Sequence, residues 1–531
     1  MTGMELLPTR ASYPDGDSVA IEVRGADGRG GDVVVRRLGD EVLRTRYDGS
    51  GTIVLGWLPA ATYGVELVVD SESARTAVEV TADGRARLRY GFVVDYSPGR
   101  ELAGVSDLVR RLHLTDIQFY DWAYRHADLL GGGEEYRDAL DQPISLATVA
   151  ALAQTVRDAG ARALGYAAVY AVGPDEWPTW KHDALLQATG EPYALGDFLF
   201  VLDPASPDWL ASFTTQLAES VDRVGFDGFH LDQYGYPKRA ERADGVVVDV
   251  AESFVGMIGA VRNALPGAQL VFNNVNDFPT WATGSTPQDA MYIEPWEPNT
   301  TLASLGGIVS RASAVGDGKP VVIAAYQHVY DSASVAASDL ATAFTMATLF
   351  SHGATQLLAG EADRILVDPY YVRNHVVEAS TAALLKRWYD FLVEYDELLM
   401  PPDIVDVTGS YAGEYNDDCD VTFDGIRTSG AADAGAVWRR VVRAGDNLVV
   451  HLINLVGQED SLWDCARSEP VRQSGTLRFR RTGEGMPRVR VADPDADGRL
   501  IDLEVTLHGT HATALLPEFG VWQLVVIGEQ S

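Results

Sequence analysis

Two carboxylates, each closing a short apolar run, are the residues of this 531-residue chain best suited to do chemistry. The first is Asp232, in the stretch Gly225-Phe226-Asp227-Gly228-Phe229-His230-Leu231-Asp232-Gln233-Tyr234-Gly235. A helix-like run ends at Val224 and two glycines punctuate. The spacing then predicts a strand that leaves a turn and delivers a carboxylate at its C-terminal end, where parallel α/β folds place their chemistry. The second is Glu294, in Tyr292-Ile293-Glu294-Pro295-Trp296. Cleaving a glycosidic bond needs one carboxylate and one carboxylic acid at a fixed separation. A gap of about 5 Å makes the first a nucleophile with retention, and about 6.5–9.5 Å leaves room for water and gives inversion. Glu294 lies between Ile293 and Pro295-Trp296, apolar company that raises its pKa, whereas Asp232 has the polar neighbours His230, Gln233 and Tyr234. That contrast favours Asp232 as nucleophile and Glu294 as acid/base. A lone Asp after a strand more often caps a helix or orders a loop; two strand-end carboxylates amid aromatic residues shift the balance to catalysis. Glu297 competes for the acid role on spacing alone.

Other polar and aromatic residues fall near predicted strand ends: Asp95, Tyr120, Asp121, Tyr170, His230, Gln233, Asn273, Asn274, Trp296, Tyr326, Gln327, His328 and Glu361. Aromatic faces stack on pyranose C–H groups while Asp, Asn and Gln grip hydroxyls, so this set predicts a sugar-binding surface. The loop Gly173–Trp180 carries two tryptophans, Trp177 and Trp180, that serve either as stacking platforms or as packing under the loop. The histidines are scattered with no HxH or HExxH pair, and neither a G-x-S-x-G elbow nor a P-loop is present, so no metal and no cofactor is expected.

The elements that must position these residues divide into three regions. Residues 1–90 show short alternating apolar runs at 19–23, 32–36, 52–55, 63–69 and 77–80, separated by turn signals, which predicts a small antiparallel sandwich. Residues 91–399 alternate strands with helix-length segments. The expected strands are 91–96, 116–122, 163–170, 228–234, 270–274, 290–294, 320–327 and 355–359, with helices such as 146–159, 208–224, 252–265 and 336–350 between them. Eight such units predict a central (β/α)8 TIM barrel. A doubly wound open sheet is the alternative, disfavoured because no Gly-rich dinucleotide loop follows an early strand. After Pro401-Pro402, residues 400–531 return to short strands and predict a second antiparallel β-sandwich.

Composition narrows the partners. The formal net charge is −34, with 76 acidic against 42 basic residues, and such a surface repels phosphates, so no nucleic acid partner is expected. The excess fits either a salt-rich setting or a GC-rich genome that codes Arg and Asp freely. No apolar run reaches the roughly 18–20 residues of a membrane span, and the start Met1-Thr2-Gly3-Met4-Glu5 lacks a secretory signal, which predicts a cytoplasmic product or the mature form of a secreted one. Cys419 and Cys465 could form one disulfide or stay reduced, and the acidic stretch 416–420 could hold a cation, a solvated loop being the plainer reading.

The segments 225–235, Gln118-Phe119-Tyr120-Asp121-Trp122 and Tyr292–Trp296 resemble motifs of glycoside hydrolase family 66, which contains endo-dextranases and cycloisomaltooligosaccharide glucanotransferases. The resemblance implies an N-terminal immunoglobulin-like sandwich, a catalytic barrel and a C-terminal β domain across nearly the whole chain. It implies retention on α-1,6-linked glucan, with Asp232 as nucleophile, Glu294 as acid/base, and Tyr120 and Asp121 lining the cleft. The glucanotransferases carry an extra carbohydrate-binding module within the barrel, and the absence of 100 or more extra residues here favours hydrolysis. The reading is therefore a retaining hydrolase that cleaves dextran to isomaltooligosaccharides by double displacement. The alternatives are an α-1,6 glucanotransferase, an exo-acting isomaltooligosaccharide hydrolase, or a non-catalytic glycan-binding protein.

Overall fold

The computed structural model of the protein describes residues 3–82, 87–411, 416, 418–481, 483 and 485–529; Asp417 of the acidic stretch lies outside them. The molecule is multidomain and strand-rich. At the N-terminus a three-stranded sheet (Glu5–Pro8, Ser18–Arg24, Thr52–Trp57) faces a five-stranded one built on Gly31–Arg37, Ala61–Val69 and Glu72–Thr81. Alternation drives this packing. Val19, Ile21 and Val23 point inward from one sheet and meet Val33, Val35, Val65 and Leu67 of the other.

The centre is a curled eleven-stranded sheet. Its parallel members are β1 Tyr90–Val93, β2 Asp116–Phe119, β3 Arg162–Ala168, β4 Gly228–Asp232, β5 Gln269–Val275, β6 Ala290–Glu294, β7 Val321–Ile323 and β8 Ala354–Gln356. Each pairs with its neighbour in chain order. Three residues beyond the end of β8, Ala359–Gly360 pairs with β1 through Gly360 and Phe92. One short stretch of chain thus meets both edges of the parallel run. The strands are buried along almost their whole length, as parallel strands covered on both faces must be. The ladder is shorter than the sequence predicts at 116–122, 163–170 and 320–327, where the chain leaves it two to four residues early. Those released residues form the loops above the strand ends.

The helices that cover the sheet are started by side chains. Ser145 caps Leu146–Asp158, Asp249 caps Val250–Ala264, and Thr301 and Ser304 form a capping box on Leu302–Val315. The helix Pro207–Val224 stops at Gly225, whose φ of 87° a side chain would strain. Gly228 is required for a different reason: a Cβ there would stand 1.9 Å from the carbonyl oxygen of Gln269, so only glycine lets β4 approach β5. After β5 the covering helix is reduced to Thr280–Thr283.

The C-terminal region is a seven-stranded sheet, centred on Val437–Ala444, Asn447–Asn454 and Trp522–Glu529, against a four-stranded sheet centred on Gln473–Arg480 and His511–Phe519. Val441, Val450, Leu477 and Phe479 fill the space between them. Cys419 and Cys465 are both free thiols, which removes the disulfide from the sequence expectation. No helix among the described residues is long and apolar enough to cross a membrane.

Candidate active site

Asp232 ends β4 and Glu294 ends β6, so β5 runs between them. Asn273 of β5 points into the same space, and its Nδ2 donates to Asp232 Oδ1 at 2.7 Å and to Glu294 Oε2 at 2.9 Å. One amide therefore ties the two carboxyls together. The two accepting oxygens can stand no further apart than about 5.6 Å, the combined length of those bonds. Tyr166 of β3 donates its hydroxyl to the other oxygen of Asp232 at 2.8 Å. Tyr326 and Trp296 line the same space beside Glu294, and both favour its charged form.

These groups line a cavity of about 260 Å³. Its wall is aromatic, with Tyr120, Tyr166, Tyr234, Tyr292, Trp296, Tyr326, Tyr370 and Tyr371, and neither Lys nor Arg is among the lining residues. With no cation at hand, two facing carboxyls cannot both ionise cheaply. Burial pushes both upward; Glu294 also feels the charge of Asp232 and rises to about 7. Asn273 at 2.7 Å and Tyr166 at 2.8 Å donate to Asp232 and favour its charged form. Burial pushes Asp121 up to about 8, aided by Asp138 and Asp232. His230 is driven down to about 3 by burial and is neutral, packed between Tyr90, Tyr166 and Tyr292 with Nδ1 at 3.1 Å from the Tyr90 hydroxyl.

The residues singled out in the sequence separate into those that reach the cavity and those that do not. Asp232, Glu294, Tyr120, His230, Gln233, Asn273, Trp296 and Tyr326 line it. Gln233 spends its amide on the carbonyls of Asn273 and Phe278 and accepts from Gly235, so it orders the loop after β4. Asp121 lies just behind Tyr120, near enough for Asp232 to act on it electrostatically. Asp95 is a correction: it is exposed in a separate cavity and its carboxylate accepts from the N–H of Ser97. Tyr170 lies behind the wall, donating to the Tyr236 carbonyl and accepting from the N–H of Tyr234. Asn274 turns away to the carbonyl of Tyr292 and the hydroxyl of Thr283, and Gln327 turns towards Thr345. Strand alternation explains Asn274, because a residue next to an inward side chain points outward, whereas Gln327 lies in the loop beyond β7. The two loop tryptophans pack, Trp177 against Phe200 and Trp180 against Trp209.

Sequence reasoning missed Tyr166 and Tyr371. Tyr166 lies inside β3, where only its bulky polar tip among alanines signals an inward role. Tyr371 comes from the irregular stretch after β8. Its ring stacks on Tyr120 at 4.2 Å and its hydroxyl lies 3.2 Å from Gln118 and 3.3 Å from the Tyr292 hydroxyl. A larger cavity of about 670 Å³ lies at the opposite ends of the strands, beside Arg162, Gln269 and Lys319, where basic and acidic side chains mix.

The model of glycosyl hydrolase family 66 matches residues 10–526. A cycloisomaltooligosaccharide glucanotransferase of Niallia circulans is 22% identical, over 98% of this chain and 71% of that protein. A dextranase of Streptococcus salivarius is 24% identical over 52% of this chain and 39% of its own length. In fold, the chain is similar to the crystal structure of a Paenibacillus sp. cycloisomaltooligosaccharide glucanotransferase complexed with cycloisomaltoheptaose, with a TM-score of 0.87 at 19% identity over 99% of this chain and 100% of that one.

Proposed function

The chain belongs to glycosyl hydrolase family 66, and on that premise we propose that it is a retaining glycoside hydrolase of α-1,6-glucans. The observation that carries this reading is the Asn273 bridge. It keeps one oxygen of each carboxyl within about 5.6 Å of the other, which suits the roughly 5–5.5 Å spacing of retaining enzymes better than the 6.5–9.5 Å that an inverting water requires. Asp232 attacks the anomeric carbon while Glu294, still protonated near neutral pH, gives its proton to the leaving oxygen. A glycosyl ester on Asp232 results. Glu294, now anionic, takes a proton from water as that water attacks the same carbon, and the free carboxylate of Asp232 returns. The linkage and polymer come from the relatives' names, dextranase and cycloisomaltooligosaccharide glucanotransferase.

We read the eight parallel strands and their helices as a (β/α)8 barrel over 91–399, with sandwiches at 1–90 and 400–531. A second outcome of the same chemistry is transfer of the glucosyl group to another sugar. The whole-length likeness to a glucanotransferase and the aromatic cavity, which suits an acceptor sugar as well as water, support it. Dextran digestion resolved by product size and anomer, with Asp232→Ala and Glu294→Gln beside the wild type, tests both. An α-anomeric ladder of isomaltooligosaccharides lost in either variant supports hydrolysis, cyclic products support transfer, and a wild type inert on every α-glucan refutes the substrate.

A further inference from the structure

The C-terminal region reaches the catalytic face. Between its strands Asn447–Asn454 and Gln473–Arg480, the chain at 459–467 leaves the sheet and lies along the loops after β6 and β7. Ser461 accepts from the N–H of Leu302 at 2.8 Å, and Leu462 bridges to Thr301. Trp463, 6% exposed, donates its backbone N–H to Thr300 at 3.1 Å and its indole Nε1 to the carbonyl of Asn299 at 2.8 Å. Asp464 accepts from the N–H of Val329 at 2.9 Å and pairs with His328 at 3.0 Å.

From Asn299 the contacts continue to the acid. Asn299 donates its backbone N–H to the Trp296 carbonyl at 2.7 Å and its amide to Asn276 Oδ1 at 2.8 Å. The same Oδ1 accepts from the Trp296 N–H at 3.1 Å, and Asn276 Nδ2 donates to the Glu297 carbonyl at 2.8 Å. The backbone N–H of Asn276 meets the carbonyl of Glu294 itself at 2.7 Å. Asn276 has φ 52°, a left-handed position that Asn tolerates and that aims its side chain back over the loop. Trp296, fixed from both sides, lines the cavity beside Glu294, where its side chain favours the carboxylate form.

We propose that Trp463 and Asn276 are positioning residues for Glu294, so that a segment of the C-terminal region sets the geometry of the proposed acid/base through Asn299 and Trp296. The assignment of Glu294 as acid/base is the reading this inference rests on. Neither residue lines the cavity. The charged group facing Glu294 is Asp232; Tyr292, Tyr326 and Tyr371 around it are neutral.

The test uses the full chain with Trp463→Phe, which keeps an apolar ring but loses the indole donor, and Asn276→Gly, which keeps the left-handed backbone but loses the amide. Glu294 is titrated directly by carbon-13 carboxyl NMR, with Glu294→Gln identifying its signal, so the result stands whether or not glucan is turned over. Loosening Trp296 weakens its support of the carboxylate form, so each variant should raise the Glu294 midpoint by about 0.5 pH unit. On a glucan substrate kcat should fall about fivefold with KM changed less than about twofold. The double variant should shift the midpoint no further than either single one, because both act on the same contact chain. A Glu294 midpoint unmoved in two folded variants, or shifts that add, would overturn the proposal, leaving 459–467 as an interdomain brace. An inert wild type with the predicted midpoint shifts would instead refute only the catalytic reading.

Discussion

Replacing Asn273 with Ala removes both bonds that tie the carboxyls together, and the consequences can be worked separately for each. In the reactive state Asp232 is ionised and accepts one of them at 2.7 Å. A hydrogen bond to a charged acceptor contributes about 1.5–3 kcal/mol in a dry site. At 1.36 kcal/mol per pH unit, losing about 2 kcal/mol raises the Asp232 midpoint by ~1.5 units. Glu294 loses its bond at 2.9 Å as well, and its carboxylate form becomes less stable. Its midpoint therefore climbs from about 7 by ~1 unit. The acidic limb of kcat/KM reports ionisation of Asp232 and the alkaline limb reports loss of the Glu294 proton, so both move in the same direction. The account predicts a bell translated to higher pH by ~1–1.5 units, with its maximum lowered ~10–100-fold because the spacing is no longer held. The assay is reducing-sugar release from isomaltooligosaccharide, followed from pH 4 to 10. A lowered maximum with both limbs in place would show that Asn273 contacts only substrate and would refute the reasoning.

Further outcomes follow from neighbouring contacts. Tyr166→Phe withdraws the 2.8 Å bond to Asp232, so the acidic limb should rise by ~0.5–1 unit while the alkaline limb stays, read in the same pH profile. His230 is neutral throughout the working range, so His230→Gln should leave the alkaline limb near 7 even where kcat falls; a displaced limb would assign it to the imidazole. Arg89 is 1% exposed and pairs with Glu79 at 2.5 Å between the N-terminal sheet and β1, so Arg89→Ala should cost about 3–5 kcal/mol in urea unfolding by stranding a buried carboxylate.

Much of the site could be read from residue order because β4 and β6 announce themselves. Gly225 ends a helix by its left-handed φ, Gly228 lets two strands approach, and an apolar run then stops on Asp232. Glu294 stops β6 in the same way. Parity is what the order of residues hides. Asn273 and Asn274 are chemically identical neighbours, and only the register of β5 against β6 sends the first between the carboxyls and the second to Thr283. Tyr326 and Gln327 lie in the loop after β7, where no strand period indicates that the first lines the cavity and the second turns to Thr345. Asp95 fails for a related reason: β1 ends at Val93, so Asp95 belongs to a turn that it orders through Ser97. Tyr371 follows an irregular stretch with no period to extrapolate. The approach of 459–467 to the β6 loop joins residues distant in sequence, and no local pattern encodes it.

The central claim is that Asp232 forms a covalent bond to the anomeric carbon while Asn273 holds it against Glu294. Mass spectrometry of the enzyme incubated with a fluorinated α-glucosyl fluoride, which forms the glycosyl ester faster than it hydrolyses, tests this most directly. The account predicts a mass gain of one fluoroglucosyl unit, carried by the peptide containing Asp232, present in the wild type and absent in Asp232→Ala. Turnover of glucan with no adduct under any trapping condition, or an adduct on another residue, would contradict it.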